Sequence, residues 1–323
     1  MKAIYVYHDQ GAHLLDLPIP ELEKGEVLIK THYSGVNYKD ALAITGKGKI
    51  LHDFPMTPGI DMSGEVVKTR PRKFKKGDQV LVTGCGMGER YDGGYAEYVK
   101  VTADNIVSIP AGLTQRKSMV LGTAGFTAAY AIHQIEKNGQ QAEQGPVVVT
   151  GATGGVGSLA VNMLSKLGYE VIAITGKREK ELWLKKLGAS EVIDRRKINY
   201  GKRPLETARW AGAVDTVGGD TLAGLIRNIK PRGNIACIGL AGGHELHTTV
   251  MPFLLRGINL LGINSVDCPM PLRKELWQRL ASDLKPTELE TIYSGVLSLQ
   301  EVPEFCNKML AGKTSGRWLV KLA

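Results

Sequence analysis

The segment VVVTGATGGVGSLA, residues 147–160, restricts the fold more than any other stretch of the chain. Its valines and threonine favour an extended strand. The loop Gly151-Ala152-Thr153-Gly154-Gly155-Val156-Gly157 then permits a tight turn and close backbone approach. Beyond it Val156, Leu159, Ala160, Met163, Leu164 and Leu167 recur at helical spacing, so the next element is an amphipathic helix. A strand that turns through glycines into a helix start presents amide donors to a pyrophosphate, which is the context a dinucleotide site needs.

The surrounding pattern fits. PVVVTG, EVIAIT, EVID, AVDTVG and NIACIGL are nearly continuous apolar runs separated by helical stretches. Such strands belong to a parallel sheet covered on both faces, so the fold class is α/β with a doubly wound sheet. Residues 1 to about 110 read differently, as short β-runs between glycine-rich turns: EVLIKTHYSGV, SGEVVKT, DQVLVTG and YAEYVKVTADNIVSI. INLLGIN (258–264) reads as a last, apolar edge strand, which invites pairing with a second copy and predicts a homodimer.

The end of the second strand indicates the cofactor. Thr175 lies eighteen residues after Gly157, where an NAD-selective site places an acidic residue on the ribose 2′-hydroxyl. Here stand Thr175, Gly176, Lys177 and Arg178, with Arg195 just after the third strand. Bases are poorly placed at a helix start unless something there is anionic. A hydroxyl and guanidiniums can hold a 2′-phosphate that a carboxylate would repel. The expected cofactor is NADPH.

Composition narrows the remaining classes. The formal charge of +9 suits an anionic ligand, but the bases are scattered and aromatics make up 6%, which argues against nucleic acid. RPRKFKK (70–76) reads as a solvated hairpin loop. The four cysteines form no CxxC pair, and no apolar run is long enough for a membrane span. The N-terminus lacks the pattern of a secretory signal, so a cytoplasmic, reduced protein is expected. His244 and His247 lie close together on a loop with no third ligand nearby.

VNYKDALAITGKGKI, PMTPGIDMSGEV, GTAGFTAA and VTGATGGVGS together resemble the zinc-free quinone oxidoreductase branch of the medium-chain dehydrogenase/reductase superfamily. The similarity extends to its putative-quinone-oxidoreductase and acryloyl-CoA reductase group. It implies a GroES-like β-rich catalytic domain from 1–125 and 265–323 and a Rossmann NADPH-binding domain from 126–264. At the positions where zinc-dependent relatives carry a cysteine and a histidine stand Asn37 and Ile60, so no zinc is expected. The resemblance places Tyr38 and Thr127 near the nicotinamide and phosphates, and Gly155 and Val156, beside Gly154, at the pyrophosphate. It places Leu240, Asn264 and Ser265 at the nicotinamide end, with Arg317 reaching the cofactor.

Without zinc the reducible group must be polarised by conjugation. Hydride then reaches the β-carbon of an activated double bond while charge develops on the carbonyl. Acryloyl-CoA or a similar unsaturated thioester is the first expected acceptor and a quinone the second. Tyr38 either donates the α-carbon proton or packs against the nicotinamide, Asn37 offers an amide N–H, and Asp40 is read as a turn anchor.

Overall fold

The computed structural model describes residues 1–8 and 11–323. The chain starts with β1 (Lys2–Tyr7) and β2 (Gly11–Asp16), followed by β3 (Glu26–Gly35), α1 (Tyr38–Thr45), β4 (Asp61–Thr69), β5 (Gln79–Thr83), β6 (Tyr98–Thr102) and β7 (Val107–Ser108). After α2 (Gln115–Lys137) come β8 (Val147–Val149), α3 (Gly155–Lys166), β9 (Val171–Thr175), α4 (Glu181–Lys186) and β10 (Glu191–Asp194). Then follow β11 (Trp210–Asp215), α5 (Gly219–Asn228), β12 (Ile229–Cys237), α6 (Met251–Arg256) and β13 (Asn259–Gly262). The chain ends with α7 (Met270–Ala281), α8 (Leu289–Ile292), β14 (Tyr293–Leu297), α9 (Val302–Leu310) and β15 (Arg317–Lys321).

These elements form two units. The first contains Met1–Phe126, Ser265–Ala281 and Ile292–Ala323; the second contains Thr127–Asn264 and Ser282–Thr291. This division differs from the expected one at Phe126, which falls in the first unit, and at Ser282–Thr291, which returns to the second. The Asn162 amide donates to Thr287 Oγ1 and accepts from the Glu288 N–H, Lys166 Nζ donates to the Ser282 and Lys285 carbonyls, and Trp183 Nε1 donates to Thr291 O.

In the second unit six strands run parallel in the order β10-β9-β8-β11-β12-β13. β8, β9 and β11 are buried along their whole length, as their unbroken apolar runs require. The chain winds one way from β8 to β10 and the other way from β11 to β13. The carboxyl ends of β8 and β11 therefore flank the point of reversal, where open α/β sheets bind ligands.

The first unit holds a mixed sheet, β14-β15-β3-β4-β5-β7, with β6 also on β3, beside the β1–β2 hairpin. The RPRKFKK stretch lies between β4 and β5, which pair antiparallel. α2 breaks at Gly122, whose φ of 52° only glycine adopts readily. A Cβ there would lie 2.7 Å from both Arg317 Nη2 and Asp61 Oδ2, so the break marks the passage of a buried ion pair. No helix among the described residues is long and apolar enough to cross a membrane.

Candidate active site

In the second unit, the turn after β8 is built as the glycine pattern requires. Gly151 has φ 58°, and a Cβ on it would meet Thr216 Oγ1 at 2.3 Å. A Cβ on Gly157 would come within 2.4 Å of Gly151 O, so this glycine seats α3 against the turn. Gly154 is the residue before α3, and the amides of Gly155 and Val156 stand in its first turn, where no carbonyl within the helix receives them.

The other side of the reversal point is fixed by side chains. Thr150 Oγ1 donates to Asp215 Oδ1 (2.6 Å) and accepts from the Thr216 N–H, while Asp215 Oδ2 accepts from the Gly218 N–H. Burial raises the Asp215 pKa against the hydrogen bonds that favour its charge. The Gly242 N–H donates to Val217 O, which brings the loop carrying Leu240 against the β11 turn. Leu240 is 60% exposed.

At the end of β9, Thr175 is 3% exposed, and its hydroxyl is turned inward. It lies 3.1 Å from Thr153 Oγ1 and accepts from the Lys177 N–H. The hydroxyl thereby pins the turn that carries Gly176 and Lys177. The guanidiniums that follow divide their tasks. Arg196 is engaged by Asp194, holding that carboxyl below its usual range, whereas Arg195 lies over Gly176, its Nε 2.8 Å from where a Cβ would stand. Lys177 is half-buried, which lowers its pKa, and Arg178 is exposed. Thr127, at the start of this unit, is buried, and Asn264 at its end is exposed.

In the first unit, a buried network lies under the start of α1. Asp40, the third residue of the helix, accepts from the Asn37 backbone N–H, one half of a capping box, and from the Ile60 N–H. Asn37 Nδ2 donates to Asp40 Oδ2 (3.0 Å) and Asp61 Oδ2 (3.1 Å), and its Oδ1 accepts from Arg317 Nη1. Asp61 also takes the Gly35 and Thr123 N–H groups. Arg317, 2% exposed, donates to the carbonyls of Val120, Val36 and Met119 and lies 4.0 Å from Asp61. Burial, with repulsion from Asp61, pushes the Asp40 carboxyl up to about 7. Burial lowers the Arg317 pKa, and the two aspartates oppose that shift.

The comparisons with known proteins cover both units. Residues 23–111 match the alcohol dehydrogenase GroES-like domain and residues 155–282 the zinc-binding dehydrogenase family. The chain is 44% identical to the acrylyl-CoA reductase AcuI of Ruegeria pomeroyi, over 96% of this chain and 94% of that one. The chain belongs to the quinone oxidoreductase family of medium-chain dehydrogenases/reductases. The YhdH oxidoreductase of Salmonella enterica, solved with NADP, superposes with a TM-score of 0.95 at 44% identity, over 99% of each chain. YhfP of Bacillus subtilis, solved with NAD, gives 0.94 at 45%, over 99% of this chain and 98% of that one.

As a member of this oxidoreductase family the chain shows the GroES-like and Rossmann arrangement expected of it, and the network qualifies two of the expected site residues. Asn37 has no amide proton left for substrate, since both carboxylates hold its Nδ2. Arg317 is turned into the first unit and held by carbonyls, because a buried guanidinium must place its donors on nearby acceptors. Tyr38, by contrast, is 42% exposed at the head of the anchored helix, and Ser265 is half-buried. Asp40 is an anchor, as read from sequence. The residues do not fit a zinc ion: Asn37 and Ile60 are not ligands, and no group of three or more His, Cys, Asp or Glu converges among the described residues. Sequence reasoning missed Asp61, Thr150 and Asp215. For Asp215 the signal was an acidic residue closing the apolar strand WAGAVD.

Proposed function

We propose that the chain reduces an activated carbon–carbon double bond, with NADPH as donor and acryloyl-CoA or a similar α,β-unsaturated thioester as acceptor. The observation that carries this reading is the 44% identity to an acrylyl-CoA reductase across nearly the whole of both chains. NADPH, when bound, supplies a hydride to the β-carbon of the acceptor. The amides of Gly155 and Val156 and the turn at Gly154 would hold the pyrophosphate. Lys177, Arg178 and Arg195 would neutralise the 2′-phosphate, with Gly176 leaving room for it. Thr127, Leu240, Asn264 and Ser265 are assigned to the nicotinamide and phosphates by family likeness. Tyr38 is the available proton donor or packing surface at α1, and the buried network holds its backbone in place. The net charge of +9 suits the phosphates of a CoA ester.

The test is loss of reduced-nicotinamide absorbance with acryloyl-CoA and a benzoquinone in parallel, each with NADPH, NADH and added EDTA. Turnover of acryloyl-CoA with NADPH alone, insensitive to EDTA, is expected. Turnover of the quinone only would replace the acceptor assignment, and equal use of NADH would remove the role of Lys177, Arg178 and Arg195.

The same reading includes a cytoplasmic homodimer. β13 is an edge strand, and next to it in sequence α6 and the residue before it leave Val250, Leu254 and Leu255 65–75% exposed. Light scattering at micromolar concentration should give twice the chain mass; a monomer would remove this element.

A further inference from the structure

Arg273, on α7, is fully buried in the first unit, and its two terminal nitrogens donate to four main-chain carbonyls and one hydroxyl, while its Nε has no partner among the described residues. Nη1 donates to the Thr83 carbonyl and to Thr83 Oγ1 (3.2 Å). Nη2 donates to Ser265 O (2.9 Å), Val266 O (3.0 Å) and, at 3.5 Å, Cys268 O. The guanidinium carbon lies 4.7 Å above the Phe126 ring, which in turn stacks on Trp277 with centroids 6.4 Å apart and planes 22° from parallel. One buried cation thus gathers the end of β5 and the 265–268 segment, which is also joined to the β5 end by a Cys85 N–H···O=C Val266 bond of 3.0 Å.

Its contacts coincide with the points where the chain passes between units. Phe126 is the last residue of the first unit before Thr127, and Ser265 the first after Asn264. α7, which carries Arg273, itself ends at Ala281, the third such point. No periodicity or motif in the sequence marks this residue.

We propose that Arg273 is a positioning residue for the reaction: it fixes the 264–268 segment, and with it Asn264 and Ser265 at the nicotinamide end of the cofactor site. This rests on the proposed function for the role of those two residues. The physical reason is the fork of the guanidinium. It spans carbonyls on two segments and presents a flat face to an aromatic ring, whereas an ammonium is a point charge with three donors. Without the fork, buried carbonyls lose their donor and the segment loses its fixed register.

Arg273→Lys keeps the charge and removes the fork. Three measurements are made on the full chain. Amide exchange reads residues 83–86 and 264–268, equilibrium binding reads NADPH and 2′,5′-ADP, and the isotope effect with C4-deuterated NADPH reads hydride transfer. The expected result is faster exchange confined to those two segments, about tenfold weaker NADPH binding (roughly 1.4 kcal/mol) and a larger isotope effect. 2′,5′-ADP, which lacks the nicotinamide, should bind with unchanged affinity and stoichiometry. Equal weakening of both ligands, or exchange that quickens throughout the first unit, would mean a merely structural residue and overturn the proposal. So would unchanged NADPH binding and isotope effect. Should Arg273→Lys fail to fold, Thr83→Val removes one acceptor and is expected to shift NADPH binding in the same direction by about threefold, about half the free energy of a tenfold change; no shift overturns the proposal. Failure of the wild-type chain to bind NADPH would overturn the proposed function, and this role with it, whereas wild-type binding that Arg273→Lys leaves unchanged would overturn this role alone.

Discussion

The turn after β8 and the base of α1 are both candidate site regions, yet they are built by opposite means. The β8 turn is made by backbone: glycines that admit a positive φ or a close approach, and helix amides left without carbonyls. The α1 base is made by side chains. Asn37, Asp40, Asp61 and Arg317 satisfy one another and seven main-chain N–H and C=O groups inside the first unit. A backbone site tolerates change outside its glycines. A buried ionic network does not, because each partner left alone is a charge without compensation.

The largest effect should follow from breaking that network at its cation. Arg317→Met leaves Asp61 and Asp40 without the guanidinium and three carbonyls without their donor. The expected loss is about 3–5 kcal/mol, the usual cost of removing one partner of a buried pair. Urea denaturation followed by a first-unit probe such as Trp277 or Trp318 reads it. A loss under about 1 kcal/mol would show that the two regions do not differ in this way.

Next in size is the cationic edge of the second unit. Arg195→Ala removes the guanidinium over Gly176 and should cost about 1.5–3 kcal/mol of NADPH binding, the range for hydrogen bonds to a charged group. NADH, without the 2′-phosphate, should be unaffected. The ratio of kcat/KM for the two cofactors checks it, and an unchanged ratio would remove Arg195 from the site.

The difference between the regions also explains what could be read in the sequence. The glycine turn, the α3 face and the basic stretch after β9 are local patterns in which neighbours in sequence are neighbours in space. Arg317 and Val36 are bonded across 281 positions, and nothing in RWLVKL indicates that its first residue points inward. Asn37 was recognised as the residue in a ligand position, but its amide was assigned to substrate because Asp61 could not be seen beside it. Thr175 shows the same limit. Its place at the end of β9 was legible, while the direction of its hydroxyl depends on Thr153, a tertiary contact.

A pH test sharpens the contrast, since the second unit has no counterpart to the Asp40–Asp61 pair among the sites described above. Burial and Asp61 raise the Asp40 carboxyl to about 7, above the ordinary aspartate value of about 3.9. Between those values the folded chain holds a proton that the unfolded chain has released. Stability from this group therefore falls as pH rises from about 4 to about 7 and is level above that. Asp40→Asn removes the dependence. From pH 5 to pH 8 the wild-type chain should lose about 2–3 kcal/mol relative to this variant in urea midpoints. Parallel pH curves would contradict the raised carboxyl.

The smallest effect separates a pin from a ligand contact at the end of β9. Thr175→Val keeps the shape and removes the hydroxyl that accepts the Lys177 N–H and meets Thr153. A lost internal hydrogen bond of this kind costs about 0.5–1.5 kcal/mol of stability. NADPH affinity should then change by no more than about threefold, because Lys177, Arg178 and Arg195 remain in place. A direct bond from the hydroxyl to a phosphate would lose about tenfold or more. The outcome decides whether selectivity here rests on charge held by a backbone turn, as at the β8 loop, or on a side-chain network, as at α1.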